Sequence, residues 1–291
     1  ATYGGCGGAA MSGAVSVQPL PARFRAAAAA RRVLGGTGMR VLYGSALAAP
    51  LRRALAAAAP PGMPLVEICG GELAGMRMHL DLTCEKYYWL GTHEEDVQRA
   101  MCASVTADGV VYDVGAHAGF FTLLASKLVG PDGRVVAFEP LPPNAARLRV
   151  NLAANGRMNV DVMEAAASDV RGESWFNIHE SSLEGALSGS GDARVRTITI
   201  DDVVRAGAPV PELIKIDVEG AEGAVLRGAA DTVRNFRPRL LVEVHSERAG
   251  QEVADALPVP YAFRNVRTGA LSAGAPGEGH YLGTAIEKKE S

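Results

Sequence analysis

Two acids and two glycines mark the stretch of this chain best suited to chemistry. In Val111-Tyr112-Asp113-Val114-Gly115-Ala116-His117-Ala118-Gly119-Phe120, Asp113 precedes Gly115 by two residues and the glycines are spaced G-x-x-x-G. A glycine turn lets backbone approach a ligand closely, because no Cβ stands in the way. The dinucleotide fingerprint G-x-G-x-x-G is missing, and a carboxylate at Asp113 would repel a pyrophosphate. It suits a ligand carrying an ammonium group instead. Glu139 follows Gly115 by 24 residues (139 − 115), where an acid can accept hydrogen bonds from both hydroxyls of a ribose. S-adenosylmethionine answers both acids, since it joins a ribose to a sulfonium and an ammonium.

A second set of residues can act on an acceptor. In Ile214-Lys215-Ile216-Asp217-Val218-Glu219, strand alternation puts Lys215, Asp217 and Glu219 on one side, with the isoleucines buried on the other. A lysine within a central strand needs a partner, and Asp217 or Glu219 is nearest. In Val242-Glu243-Val244-His245, Glu243 and His245 share a side, and an ordinary imidazole titrates near neutrality. An alcohol becomes a good nucleophile only as it loses its proton. His245 is therefore the expected base, with Asp217 orienting it and Lys215 and Glu243 completing the group. The competing reading is a structural ion-pair network of Lys215, Asp217 and Glu243, with His245 closing its strand. Asp217, Glu243 and His245 also allow a divalent ion without demanding one, and no metal is assigned. Tyr88 and Trp89 offer flat rings for a sugar face, or packing between elements. With Glu94 and Glu219 they form the expected substrate contacts.

These groups need strand ends to hold them. Val110–Val114 is a short apolar run of the kind a buried parallel strand requires, and helical spacing follows over Gly119–Val129. The alternation continues with strand Arg134–Phe138, helix Asn144–Ala154 and strand Val160–Ala165. Trp175–Ile178 and Val195–Ile200 read as strands around a Gly/Ser-rich loop, Ser181–Gly191, which is either a lid or a surface insertion. Strand Leu213–Val218, helix Glu222–Val233 and strand Arg239–His245 come next, and Tyr261–Val266 and Tyr281–Ile286 suggest a closing hairpin. This pattern predicts a doubly wound, mostly parallel α/β sheet. Before it stand two alanine-rich helices, Pro21–Leu34 and Ser45–Ala59, separated by Gly35-Gly36-Thr37-Gly38. Strand-like Leu65–Ile68 and Met76–Leu82 follow, then a helix capped by Thr92 and running to about Val105. The expected division is a basic helical extension (1–64), lead-in elements (65–106) and a catalytic domain (107–291).

Composition narrows the function classes. Of 291 residues 48% are hydrophobic and 21% charged, enough for a large core. The net charge of −3 argues against general nucleic-acid binding, although the stretch from Pro21 to Val66 holds seven arginines and no acid. No apolar run has the length of a membrane span. Cys6, Cys69, Cys84 and Cys102 contain no C-x-x-C pair, so a reducing, cytoplasmic setting is expected. The glycine-rich opening Ala1–Ala10 is set aside. The expected partner is a small-molecule or glycosylated acceptor.

Four stretches resemble the FkbM-type methyltransferases: Tyr112-Asp113-Val114-Gly115-Ala116-His117-Ala118-Gly119-Phe120-Phe121-Thr122, Ala137-Phe138-Glu139-Pro140, Ala166-Ala167-Ser168-Asp169, and Ile214-Lys215-Ile216-Asp217-Val218-Glu219-Gly220-Ala221-Glu222. Leu241-Val242-Glu243-Val244-His245 and Gly91-Thr92-His93-Glu94 are similar to that family's closing and leading signatures. The resemblance spans about Asp81 to Ile286. It implies a Rossmann-like class I methyltransferase fold behind the N-terminal helical extension, S-adenosylmethionine as donor, and O-methylation of a sugar or polyketide-type hydroxyl. Asp113, Gly115, Ala116, His117, Phe120, Glu139, Pro140 and Ala166 would then line the cofactor. Two residues depart from the family pattern: His117 stands where asparagine is common, and His93 where an aromatic residue is common. An N-methyltransferase and a non-catalytic adenosine-binding module stay open as alternatives.

Overall fold

The computed structural model describes residues 17–44, 59–178, 185–188 and 191–286, with isolated helical positions at 50, 53 and 57. Most of the predicted helix Ser45–Ala59, and most of the loop Ser181–Gly191, lie outside the described residues.

Helix α1 (Ala22–Gly44) comes first. It runs on through Gly35, Gly36 and Gly38, where the sequence reading had placed a break. Each glycine weakens a helix by about 1 kcal/mol, but none blocks the backbone ladder as proline would. Phe24 and Ala27 bury its inner side. The Arg31 Nε donates to the Leu90 carbonyl at 3.0 Å, and its guanidinium lies 3.6 Å from Glu95. Strands β1 (Leu65–Glu67) and β2 (Arg77–His79) pair antiparallel. Helices α2 (Lys86–Leu90) and α3 (Glu95–Ser104) complete the lead-in. Thr92 does not cap α3; Glu94 occupies that position with φ of 41° and makes no side-chain cap bond.

The central sheet is built from β3 (Val110–Val114), β4 (Arg134–Phe138), β5 (Val160–Met163), β10 (Leu213–Ile216), β11 (Arg239–Val244), β12 (Tyr261–Asn265) and β13 (Gly279–Ala285). Its order is β12-β13-β11-β10-β3-β4-β5, parallel from β11 to β5, with β13 antiparallel between β12 and β11. The closing hairpin was foreseen, but its insertion beside β11 was not. The chain builds β3, β4 and β5 outward on one side, then returns to β10 and β11 on the other. The carboxyl ends of β3 and β10 thus form a topological switch point, where doubly wound sheets bind ligands.

Strand alternation sorts the core into two layers. Val111, Val135, Ala137, Leu213 and Leu241 face helices α4 (Phe120–Val129) and α5 (Pro142–Ala154) together with Phe24, Val66, Trp89 and Met101. Tyr112, Val114, Val136, Phe138, Ile214, Ile216, Leu240, Val242 and Val244 face the opposite layer. That layer holds α6 (Ile200–Arg205), α7 (Glu222–Arg227), α8 (Ala230–Phe236) and α9 (Glu247–Ala256). The predicted helix Glu222–Val233 is split at Gly228-Ala229 into α7 and α8, and Gly228 packs against the Ser168 backbone, which leaves no room for a Cβ. A second, smaller sheet, β6 (Ala166–Ala167), β9 (Ala193–Ile198), β7 (Gly172–Ile178) and β8 (Gly185–Ser188), follows β5. Among the described residues no helix is long and apolar enough to cross a membrane.

Candidate active site

At the switch point β3 ends in the turn to α4, where Gly115 adopts φ of 84° and Gly119 φ of 91°. A Cβ on Gly115 would collide with the Asp217 carbonyl, so only glycine lets the two strand ends approach this closely. A cavity of about 270 Å³ opens there. Gly115, Ala116, His117, Phe120, Glu139, Pro140 and Ala166 line it on one side, and Tyr88, Glu94, Lys215, Asp217, Glu219 and Glu243 on the other. Three of the five non-glycine residues with positive φ among the described residues (Glu94, His117 and Glu219) lie on its wall. Such conformations are costly and cluster where ligands are held.

Glu139 directly follows β4, and its carboxylate is clamped. The His117 and Leu141 backbone N–H groups donate to it at 2.8 and 2.9 Å, and Asn144 Nδ2 donates at 3.4 Å. Burial outweighs these donors and pushes the Glu139 carboxyl up to about 7. A fixed, paired set of acceptor oxygens beside a glycine turn fits the hydroxyls of a ribose. Ala167 and Phe176 add an apolar wall beyond it. By the chemistry of its lining the cavity fits S-adenosylmethionine.

Asp113 corrects one expectation, because it does not reach the cavity wall. It is fully buried, its Oδ2 accepts from Thr122 Oγ1 at 2.6 Å, and Lys215 Nζ lies 3.7 Å from its Oδ1. In this arrangement its carboxylate faces Thr122 and Lys215. Trp89 corrects another: it is buried with its ring edge against Phe24, centroids 5.3 Å apart, and belongs to the core. Tyr88 does line the cavity, stacked on Phe120 at 5.0 Å.

The acceptor side is rich in charge. Lys215 lies 3.1 Å from Asp217, and against the cost of burial its two acids, Asp217 and Asp113, hold the ammonium well above its ordinary value. Burial also opposes ionisation of Asp217, but Lys215 and the adjoining Glu243 hold its carboxyl down at about 2. Burial raises the Glu243 carboxyl. Strand β10 stops at Ile216, so alternation does not carry Glu219 to its place; a left-handed turn with φ of 52° does.

His245 does not have the free, neutral imidazole expected of a general base. Its Nδ1 lies 2.7 Å from the buried Glu222 carboxylate, and its Nε2 lies 3.4 to 3.9 Å from Glu219, Glu243 and Asp217. The hydrogen bond to Glu222 is the main reason its pKa rises to about 9, against the cost of burial. It also stands behind the cavity wall instead of on it.

Two histidines carry site geometry that the sequence reading did not assign. His280 on β13 is the register partner of Glu243 and lies 3.2 Å from it and 3.4 Å from Glu94. Despite burial, those two carboxylates raise His280 to about 10. His93 lines the cavity between Tyr88, Phe120 and Phe121, with Nε2 3.2 Å from Glu94 Oε1. Burial pushes its imidazole below the ordinary range, with Glu94 opposing. The departure from the family's aromatic residue was visible at His93, whereas nothing in the sequence pointed to His280.

The family model of the methyltransferase FkbM domain matches residues 113–268. Hexuronic acid methyltransferase AglP of Haloferax volcanii is 30% identical over 158 residues, 53% of this chain and 63% of AglP. The 2-O-methyltransferase NoeI of Sinorhizobium fredii is 30% identical over 169 residues, 50% of this chain and 65% of NoeI. The 31-O-demethyl-FK506 methyltransferase FkbM of Streptomyces tacrolimicus is 31% identical over 171 residues, 47% of this chain and 65% of that protein. The chain thus spans less than two thirds of the length of each of these relatives.

Proposed function

The chain belongs to the methyltransferase FkbM family, and on that premise we propose that it transfers a methyl group from S-adenosylmethionine to a hydroxyl of a sugar, glycosylated or polyketide-type small molecule. The observation that carries this reading is the cavity's two-sidedness. A clamped ribose acceptor, Glu139, and a glycine turn stand on one side, and imidazole and carboxylate groups stand on the other. The names of the relatives above, which mention a hexuronic acid and 2-O- and 31-O-positions, favour a hydroxyl acceptor.

S-adenosylmethionine, when bound, supplies an electrophilic methyl group on a positively charged sulfur. Glu139, Gly115, Ala116 and His117 hold the nucleoside end, with Pro140 and Ala166 beside it. Phe120 and Tyr88 exclude water between donor and acceptor, which strengthens every electrostatic interaction within. His93 receives the hydroxyl proton. Its Nε2 faces Glu94, which leaves Nδ1 as the lone-pair nitrogen, and burial keeps the ring neutral. Asp217, Glu219 and Glu243 accept hydrogen bonds from neighbouring hydroxyls of the acceptor, so alignment supplies much of the rate. The excess of carboxylates gives an amine acceptor as the second reading.

Calorimetric titration with S-adenosylhomocysteine, with NAD as control, tests the donor. Micromolar binding that Glu139→Ala weakens, with no response to NAD, is expected; a folded protein that ignores S-adenosylhomocysteine would overturn the proposal. Methyl transfer from labelled donor to neutral sugars against amino sugars then separates the two acceptor readings.

A further inference from the structure

The carboxyl ends of β10 and β11 gather a mixed cluster of acidic and basic side chains. Glu94, Asp217, Glu219, Glu222 and Glu243 surround Lys215, His245 and His280. Lys215 is shared with Asp113, and Glu94 also meets His93.

We propose that Asp217, Glu243 and His245 hold one divalent transition-metal ion on the acceptor side of the cavity. One donor atom from each lies within 4.8 Å of the other two. His245 Nε2 stands 3.9 Å from Asp217 Oδ1 and 3.8 Å from Glu243 Oε1. Ligand bonds of about 2.1 Å give ligand–ligand edges of about 3.0 to 3.4 Å, so the two edges from His245 shorten by about half an ångström or more as the donors close on an ion.

The support behind His245 is independent of the acid cluster. Metal-binding imidazoles fix their free nitrogen by hydrogen-bonding the other one, often to a carboxylate. His245 Nδ1 meets Glu222 Oε1 at 2.7 Å, and this turns Nε2 toward Asp217 and Glu243. Glu222 is itself fully buried, held in place by the Gly220 N–H at 2.9 Å, and its Oε2 has no hydrogen-bond partner among the described residues. Glu222 thus holds the His245 ring in one orientation. Two carboxylates and one imidazole suit manganese, iron or zinc better than calcium, which prefers oxygen alone.

An ion here lies against the same wall as the acceptor, where it lowers the pKa of a coordinated hydroxyl and so eases proton loss to His93. That role rests on the methyltransferase reading, but the binding of the ion does not.

The test is titration of the chelator-stripped full chain with manganese(II), followed by the electron paramagnetic resonance signal of the free ion. One bound manganese per chain is expected, competed by zinc. His245→Asn and Asp217→Asn weaken it at least tenfold, Glu222→Gln about tenfold through the lost orientation, and Glu164→Gln, in the exposed pair with Arg149, leaves it unchanged. No bound manganese in folded wild type overturns the proposal, and so does binding that His280→Asn abolishes and His245→Asn spares. S-adenosylhomocysteine binding, measured on the same samples, separates the two readings. Its loss with manganese binding intact counts against the methyltransferase assignment alone, and the reverse counts against the metal site alone.

Discussion

Asp113 and Lys215 are register partners on adjacent parallel strands, and their side chains form a buried ion pair between the cofactor turn and the acceptor edge. Parity explains the meeting: residues 111 and 113 of β3 point to the same face as 213 and 215 of β10. At the carboxyl end of that face the apolar residues give way to Asp113 and Lys215, and Thr122 from α4 completes the set. Gly115 and Asp217 stand just past the ends of these two strands.

Breaking it from one side strands a charge in the core. Lys215→Met leaves Asp113 and Asp217 uncompensated and is expected to cost about 3–5 kcal/mol of stability. Adding Asp113→Asn recovers part of that loss, because the buried charge goes with it. Urea unfolding of the two single variants and the double variant checks this; strictly additive losses would count against a coupled pair.

Cofactor affinity should depend on pH through Glu139. Its raised carboxyl, at about 7, means that the free protein gains a proton there as pH falls through 7. A protonated carboxyl cannot accept two ribose hydroxyls, so S-adenosylhomocysteine affinity falls below pH 7, approaching tenfold per unit. The sign is loss on acidification. Glu139→Gln should bind weakly with a flat profile, and a wild-type profile equally flat from 6 to 8 would exclude this control.

Neighbouring aromatics should separate stability from binding. Trp89→Ala empties a core position against Phe24 and is expected to cost about 3–5 kcal/mol. Tyr88→Ala, on the cavity wall, should cost less stability and raise the acceptor KM. Thermal unfolding beside steady-state kinetics reads both, and the opposite assignment would restore Trp89 as a substrate wall.

His93→Phe restores the aromatic residue common in the family. If His93 takes the acceptor proton, kcat falls by about 10²- to 10⁴-fold, while S-adenosylhomocysteine binding stays within about threefold. Single-turnover rates against pH make the measurement. An unchanged rate would assign His93 to packing against Tyr88 and Phe121.

Much of the fold was legible because β3, α4, β4 and β10 are dense in large apolar residues with clean spacing. Helix α9 was passed over although its residues sort into a polar and a buried face at helical spacing, because the buried ones, Ala249, Gly250 and Val253, are small. Helix α6 was not read, and its first residue, Ile200, was taken into the strand before it because it extends the β-branched run. The donor side of the site was visible in Gly115 and Glu139, which a local strand–turn–helix unit positions. The acceptor side was harder, because its partners are brought by pairing over long separations. Glu222 changes the character of His245 from 23 residues away, and His280 reaches Glu243 only through the insertion of β13.

That insertion makes the loop before β13 a counting device. Side chains alternate across a strand with period two, so a slip of one residue against β11 would replace His280 with Gly279 or Tyr281 opposite Glu243. Changing the loop by one residue thus alters the edge's charge without touching any residue in it, while a change absorbed wholly within the loop leaves it intact. Divergence of acceptor preference among related chains can run through loop length alone.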